Sequence, residues 1–196
     1  MGPDDLQRAL RRPAGESSDF DLNPTVVLSP GRILRPAAVL VAVWDRPYGA
    51  QIILTKRASH LKHHPGQIAF PGGKIDATDA DPEAAALREA QEEIGLAPAF
   101  VQIVGRLSAH ETVTGFTITP ILGHIRADFR ALPEAGEVEE VFSVPLSHVT
   151  DITRYRVEKR LWRGEMRRYY AVPFGPYYIW GATARILRGL AERMAL

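Results

Sequence analysis

The sequence predicts a single α/β (α+β) domain, in which several strands are mixed with few helices. Three observations carry this. Short apolar runs bounded by turn residues recur along the chain, one strongly helix-forming segment sits near the middle, and an amphipathic helix closes the C-terminus. The length of 196 residues suits one domain with a sizeable core better than two small ones.

The elements follow in order. MGPDDLQRALRRP reads as a short amphipathic helix ending before Pro13, and residues 14–36, rich in Gly, Ser, Asp and Pro, read as an arm packing on a domain that spans 37–196. Ala37 to Trp44 is a near-continuous apolar run, as expected of a strand buried on both faces. A turn at Pro47-Tyr48-Gly49 leads to the partner strand, Gln51 to Lys56. Residues 58–67 form a polar loop holding three of the six histidines. A short strand from Gln67 to Phe70 is expected to stop at a tight turn, Pro71-Gly72-Gly73.

A helix is predicted over 82–94, with Asp81 as N-cap, Pro82 in the first turn and Gly95 as terminator. Strands are expected at 101–107 and 116–125 with a loop at 108–115, followed by a strand at 138–144. A hairpin over 155–172 should turn at Arg163-Gly164, and Trp180 to Met194 should be the final helix.

Composition excludes several functions. There are no cysteines, so disulfides, thiolate zinc sites and a cysteine nucleophile are ruled out. The formal net charge of +1 gives no global pull toward nucleic acid or membranes. The N-terminus lacks a signal-peptide core and no run is long enough for a membrane span, so a cytoplasmic location is expected.

The helix at 82–94 carries the chemistry. Glu89, Glu92 and Glu93 are spaced i, i+3, i+4 and share one face. They crowd the C-terminal turns, where the helix dipole disfavours each carboxylate by about 0.3–1 kcal/mol. A divalent cation held by carboxylate oxygens would reverse that penalty; an acidic, solvated face is the alternative. A phosphate-binding loop at Gly73-Lys74 fails, because Ile68 and Ile75 occupy the positions that need Gly and Ser/Thr.

Gly73 through Leu96, GKIDATDADPEAAALREAQEEIGL, resembles the Nudix box G-x5-E-x7-R-E-U-x-E-E-x-G-U. Its second half matches at Arg88, Glu89, Glu92, Glu93, Gly95 and Leu96. In its first half Asp79 stands where the box has Glu, and eight residues rather than seven separate it from Arg88, leaving Asp76 or Asp79 as partner of that arginine. Upstream, Arg57 through Gly73 is similar to the R-S-x-x-L-R-x-H-x-G-Q-x-x-F-P-G-G signature of the coenzyme A pyrophosphatase branch, with Ala58 for Ser and Lys62 for Arg. The resemblance extends to Phe116-Thr-Ile-Thr-Pro120 and Ile179 to Arg185, and so over most of residues 37–190.

The resemblance implies a Nudix fold, an α/β/α sandwich around a mixed sheet. It implies metal-dependent hydrolysis of the diphosphate of coenzyme A and its derivatives to 3′,5′-ADP and 4′-phosphopantetheine. Mg2+ or Mn2+ would be held by Glu89 and Glu93, by Glu92 directly or through water, and by the Gly73 carbonyl, with Arg88 in the catalytic set. Glu137, or its loop neighbour Glu134, is a candidate base, and Glu137 is also a candidate further ligand. Arg57, Lys62, His64 and Gln67 are candidate substrate contacts. His60 and His63 are assigned to solvent, and His110, His124 and His148 lack ligand spacing.

Trp180 and Tyr177-Tyr178 are expected in the core rather than as a base platform. The basic hairpin at 154–168 is expected to be solvated surface or a dimer contact, so a homodimer is an open expectation and nucleic-acid or membrane partners are not. The other readings are hydrolysis of ADP-ribose or a dinucleotide and a non-catalytic ligand-binding module. The three intact glutamates argue against the module.

Overall fold

A computed structural model describes residues 3–12, 15, 17–162 and 164–195. In chain order the elements are α1 (Pro3–Leu10), β1 (Ser17–Ser18), β2 (Arg35–Trp44), β3 (Gln51–Arg57), β4 (Ile68–Ala69) and β5 (Gly72–Lys74). Then come α2 (Pro82–Ile94), β6 (Val101–Arg106), β7 (His110–Glu111), β8 (Phe116–Ile125) and β9 (Val138–Pro145). The last are α3 (Leu146–Val149), β10 (Arg156–Trp162), β11 (Glu165–Ala171) and α4 (Gly181–Ala195).

The apolar run of β2 is the centre of a mixed sheet. It pairs in parallel with β8 along its whole length, Arg35 opposite Phe116 through Trp44 opposite Ile125. Its other edge is shared: β5 pairs antiparallel with residues 37–39 and β3 with residues 43–44. Strand β3 then diverges to pair with β9 and β4. This splay opens the sheet beside Gly72.

Alternation along β2 explains why its composition is apolar throughout. Ala38, Leu40 and Ala42 pack with Ala85, Ala86, Ala90 and Ile94 of α2 on one face. Val41 and Val43 join Leu6 of α1 and Ile186, Leu187 and Leu190 of α4 on the other. A strand between two helical layers must be apolar on both sides. The result is the α/β/α sandwich around a mixed sheet.

Several expectations are corrected. Gly72-Gly73 is not a turn but part of β5, because its backbone completes the free edge of β2. Within the expected loop at 108–115, His110–Glu111 forms β7, which pairs with β8 and with β1 of the arm. His110 is fully buried there, with Nδ1 2.9 Å from Ser17 Oγ and Nε2 3.1 Å from Asp19 Oδ1. The two-residue strands and α3 are too short for a periodic signal. Pro13 and Arg163, which entered the predicted helix stop and hairpin turn, lie outside the described residues. No helix among the described residues is long and apolar enough to cross a membrane.

Candidate active site

Helix α2 is fixed at both ends by the residues that predict it. Asp81 accepts a hydrogen bond from the Ala84 amide at 2.9 Å, and Gly95 closes the helix in the left-handed region. No basic residue stands in its last turn. Small residues at 85, 86 and 90 bring it close against β2, which turns Glu89 and Glu93 toward β5.

The contact with β5 is tight. The Glu93 carboxylate accepts from the Gly72 amide at 3.1 Å. A Cβ at position 73 would lie 2.5–2.7 Å from the Glu89 carboxylate, and one at 72 would lie 2.4 Å from the Ala38 carbonyl oxygen. Only glycine permits both approaches, and Gly72 also has φ +154. Glu89, Glu93 and the Gly73 backbone are thereby brought together.

Glu93 is only 5% exposed. Burial, reinforced by the charges of Glu89 and Glu137, outweighs the Gly72 hydrogen bond and the charge of Arg57, and pushes its carboxyl up to about 7. Glu89 is raised too, chiefly by burial and against its hydrogen bond to Arg88. Glu92 is the most open of the three, its side chain 59% exposed, and reaches Arg88 Nη1 at 2.9 Å.

The question of the arginine's partner is settled in favour of Asp79. Arg88 makes a two-pronged contact to it, Nε to Oδ1 and Nη2 to Oδ2, both at 3.0 Å. Asp76 stands at 3.7 Å and instead donates its backbone amide to Asp79 at 2.8 Å. The guanidinium holds the Asp79 carboxyl below its ordinary range, and Asp79 in turn is the main reason that Arg88 holds its proton more tightly. Arg88 also bonds Glu89 at 3.0 Å and so orders two of the three glutamates.

Glu137 reaches this site from far along the sequence. The Glu134 amide donates to the carbonyl of Glu93 at 2.9 Å, and the Ala58 amide donates to that of Glu137 at 2.8 Å. The first bond ties the loop before β9 to the end of α2, and the second ties it to the residue that follows β3. The exposed Glu137 side chain is close enough for its charge to raise both Glu89 and Glu93.

Among the described residues no three carboxylates or histidines stand as a ready-made metal cage. The reason is visible: Glu89 and Glu92 lean on Arg88, and Glu93 on the Gly72 amide. The donor chemistry nonetheless fits a hard divalent cation. The desolvated carboxylates of Glu89 and Glu93 feel each other's charge and that of Glu137, with Arg88 and Arg57 as counter-charges, and oxygen donors of this kind suit Mg2+ or Mn2+.

Beside Gly72 the splayed sheet opens into a cleft of about 1130 Å³. Arg57, His64 and Gln67 line it, whereas Lys62 is exposed and does not. His64 sits in the left-handed region at φ 55, unusual for a residue with a side chain, and its imidazole is lowered chiefly by partial desolvation. Lys56 is already paired with Glu139 at 2.6 Å.

Two expectations about the C-terminal third fail here. Trp180 and Tyr178 are not core: both line the cleft, while Tyr177, also at its wall, stacks on Phe142 at 3.6 Å. The basic hairpin is not simply solvated surface either, because Arg160, Trp162, Arg167 and Tyr169 form part of the cleft wall. The signal was present as alternation of basic and aromatic residues on facing strands, but nothing in the sequence says which side that face meets.

A family model described as NUDIX domain matches residues 34–163. A protein of Enterobacter sp. (strain 638) carrying the name Uncharacterized Nudix hydrolase NudL is 43% identical over 162 residues, 83% of this chain and 84% of its own length. One of the same name from Salmonella newport (strain SL254) is 44% identical over the same shares. Among solved structures, a Nudix hydrolase from M. smegmatis, RenU, superimposes with a TM-score of 0.51 at 23% identity, over 63% of this chain and 84% of that one. At that identity the likeness bears on the fold.

Proposed function

The chain belongs to the NUDIX domain family, and from that footing we propose that it is a hydrolase of coenzyme A and its derivatives, splitting their diphosphate to 3′,5′-ADP and 4′-phosphopantetheine. The observation that carries the reading is the cleft. It begins at Gly72, beside Glu93, and is lined by Arg57, His64 and Gln67 from the segment that resembles the coenzyme A pyrophosphatase signature. Its volume suits a large nucleotide derivative.

Mg2+ or Mn2+, held by Glu89, Glu92, Glu93 and the Gly73 carbonyl with Glu137 as a further ligand or base, would neutralise the diphosphate and acidify a bound water. The chain's own residues do the positioning. Arg88, anchored by Asp79, holds Glu89 and Glu92 against spreading under their mutual repulsion. Arg57, His64 and Gln67 draw the diphosphate into the cleft mouth by charge-assisted and neutral hydrogen bonds. Glu137 takes a proton from the attacking water, whose oxygen bonds to one phosphorus as the bridging P–O bond breaks. The bridging oxygen leaves with the other phosphoryl group.

The test is product analysis with magnesium over coenzyme A, ADP-ribose, NADH and diadenosine polyphosphates. Release of 4′-phosphopantetheine as the fastest reaction is expected. A preference for ADP-ribose or a dinucleotide would replace the substrate class. Near wild-type turnover of Glu89→Gln or Glu93→Gln at saturating magnesium would overturn the mechanism.

A further inference from the structure

The far wall of the cleft holds cations that the diphosphate does not need. Arg160 and Arg167 stand directly opposite each other across the β10–β11 hairpin. Directly opposed like charges destabilise a hairpin, and natural sheets place opposite charges there. Neither arginine makes an ion pair among the described residues.

Arg167 is held in an unusual way. Its guanidinium lies 5.0 Å from the Trp162 ring centre and 5.6 Å from that of Phe20, between one ring from the hairpin and one from the N-terminal arm. Its Nε and Nη1 are buried and have no hydrogen-bond partner among the described residues. A buried, unpaired N–H of a charged group is costly to leave unmade. The hairpin cannot swing away to relieve this. Asn23 grips β11 at both backbone groups of Arg168, accepting from its amide at 2.8 Å and donating to its carbonyl at 2.9 Å.

Flat aromatic surface adjoins these cations. Arg160 lies 5.6 Å over Trp180, and Trp180 packs against Tyr169 at 5.1 Å and Tyr178 at 6.4 Å. The same wall therefore presents two cations without a counter-ion among the described residues, Arg167 held between two rings and Arg160 exposed, beside the half-buried rings of Tyr169 and Trp180 and the exposed ring of Tyr178. A ligand group matching both is a phosphorylated nucleoside, with its base on the rings and an extra phosphate on the arginines.

We propose that Arg160 and Arg167 form a specificity subsite for a phosphate monoester on the nucleoside end of the substrate, selecting 3′-phosphorylated ADP derivatives over their dephosphorylated forms. This rests on the reading of the cleft as a nucleoside-diphosphate site, and deepens it. The arginines touch substrate remote from the reacting phosphorus, so they set discrimination rather than chemistry.

The test compares coenzyme A with 3′-dephospho-coenzyme A as substrates, and 3′,5′-ADP with 5′-AMP as ligands followed by calorimetry. The wild type should favour the 3′-phosphorylated member of each pair. Arg160→Gln, at an exposed position, and Arg167→Gln should each lower kcat/KM for coenzyme A by about 10- to 100-fold, the range of one charge-assisted hydrogen bond, with dephospho-coenzyme A changed less than about 3-fold. Arg167→Lys keeps the charge but not the fork, and should restore part of the preference.

Equal losses on both substrates would overturn the subsite, as would a wild type indifferent to the 3′-phosphate. The binding arm separates this from the proposed reaction. Tighter 3′,5′-ADP binding that the variants abolish supports the subsite even if another diphosphate is the better substrate. Coenzyme A turnover without that binding preference sinks the subsite and leaves the reaction standing.

Discussion

Glu93→Gln should make the metal-free protein more stable while abolishing its turnover. The magnitude follows from the burial of Glu93. Its carboxyl is pushed up to about 7 in the fold from 4.5, and the residue is only 5% exposed, so solvent screening is small. An acid whose folded pKa is raised binds its proton more tightly when folded. Stability is therefore highest below about pH 4.5 and falls as pH rises through the window up to about 7. At 1.36 kcal/mol per pKa unit the ionised carboxylate costs the fold about 3 kcal/mol at pH 8, and less than about 1 kcal/mol near pH 5.

Glutamine is neutral, nearly isosteric, and still offers a carbonyl oxygen to the Gly72 amide. Urea unfolding in EDTA should show the variant ahead by about 3 kcal/mol at pH 8, with the gap closing toward pH 5. Saturating magnesium should reverse the order by stabilising the wild type alone. A wild type whose metal-free stability is flat from pH 5 to 8, or a variant that is weaker at pH 8, would refute the reasoning.

The two neighbouring glycines should separate stability from activity. Gly72→Ala drives a Cβ into the Ala38 carbonyl oxygen at a backbone angle that resists side chains, and should cost more than about 3 kcal/mol in chemical denaturation. Gly73→Ala meets the movable end of Glu89 first, so its unfolding midpoint should stay near wild type while turnover falls and the magnesium requirement rises. Asp79→Asn removes the charge that anchors Arg88 and should lower kcat at least about 10-fold with little change in KM, read from steady-state kinetics. Asn23→Ala leaves the Arg168 amide and carbonyl unpaired and should destabilise the fold by about 1–3 kcal/mol in urea titration.

Most of the carboxylate site was legible because its information is local. Helix α2 is written by its cap, its alanines and its terminal glycine, and the spacing of Glu89, Glu92 and Glu93 then follows from 3.6 residues per turn. The two-sided burial of β2 was likewise present in its unbroken apolar run. The role of Gly72-Gly73 was half legible. Two glycines announced a close approach, but their pairing with β2 as a strand depends on a sheet edge that only the assembled fold supplies.

Three features belong to tertiary structure alone. Arg88 had two candidate aspartates, and the course of the loop at 76–81 decided between them. Glu137 joins the site through backbone bonds between segments that are remote in sequence. The hairpin's alternating arginines and aromatics gave a face but not a direction, because period-two alternation is the same whether that face meets water or a cleft. Local order along the chain fixes which residues can bear charge on one face of an element; the fold decides which of them lie together, since burial and proximity are properties of segments meeting in space.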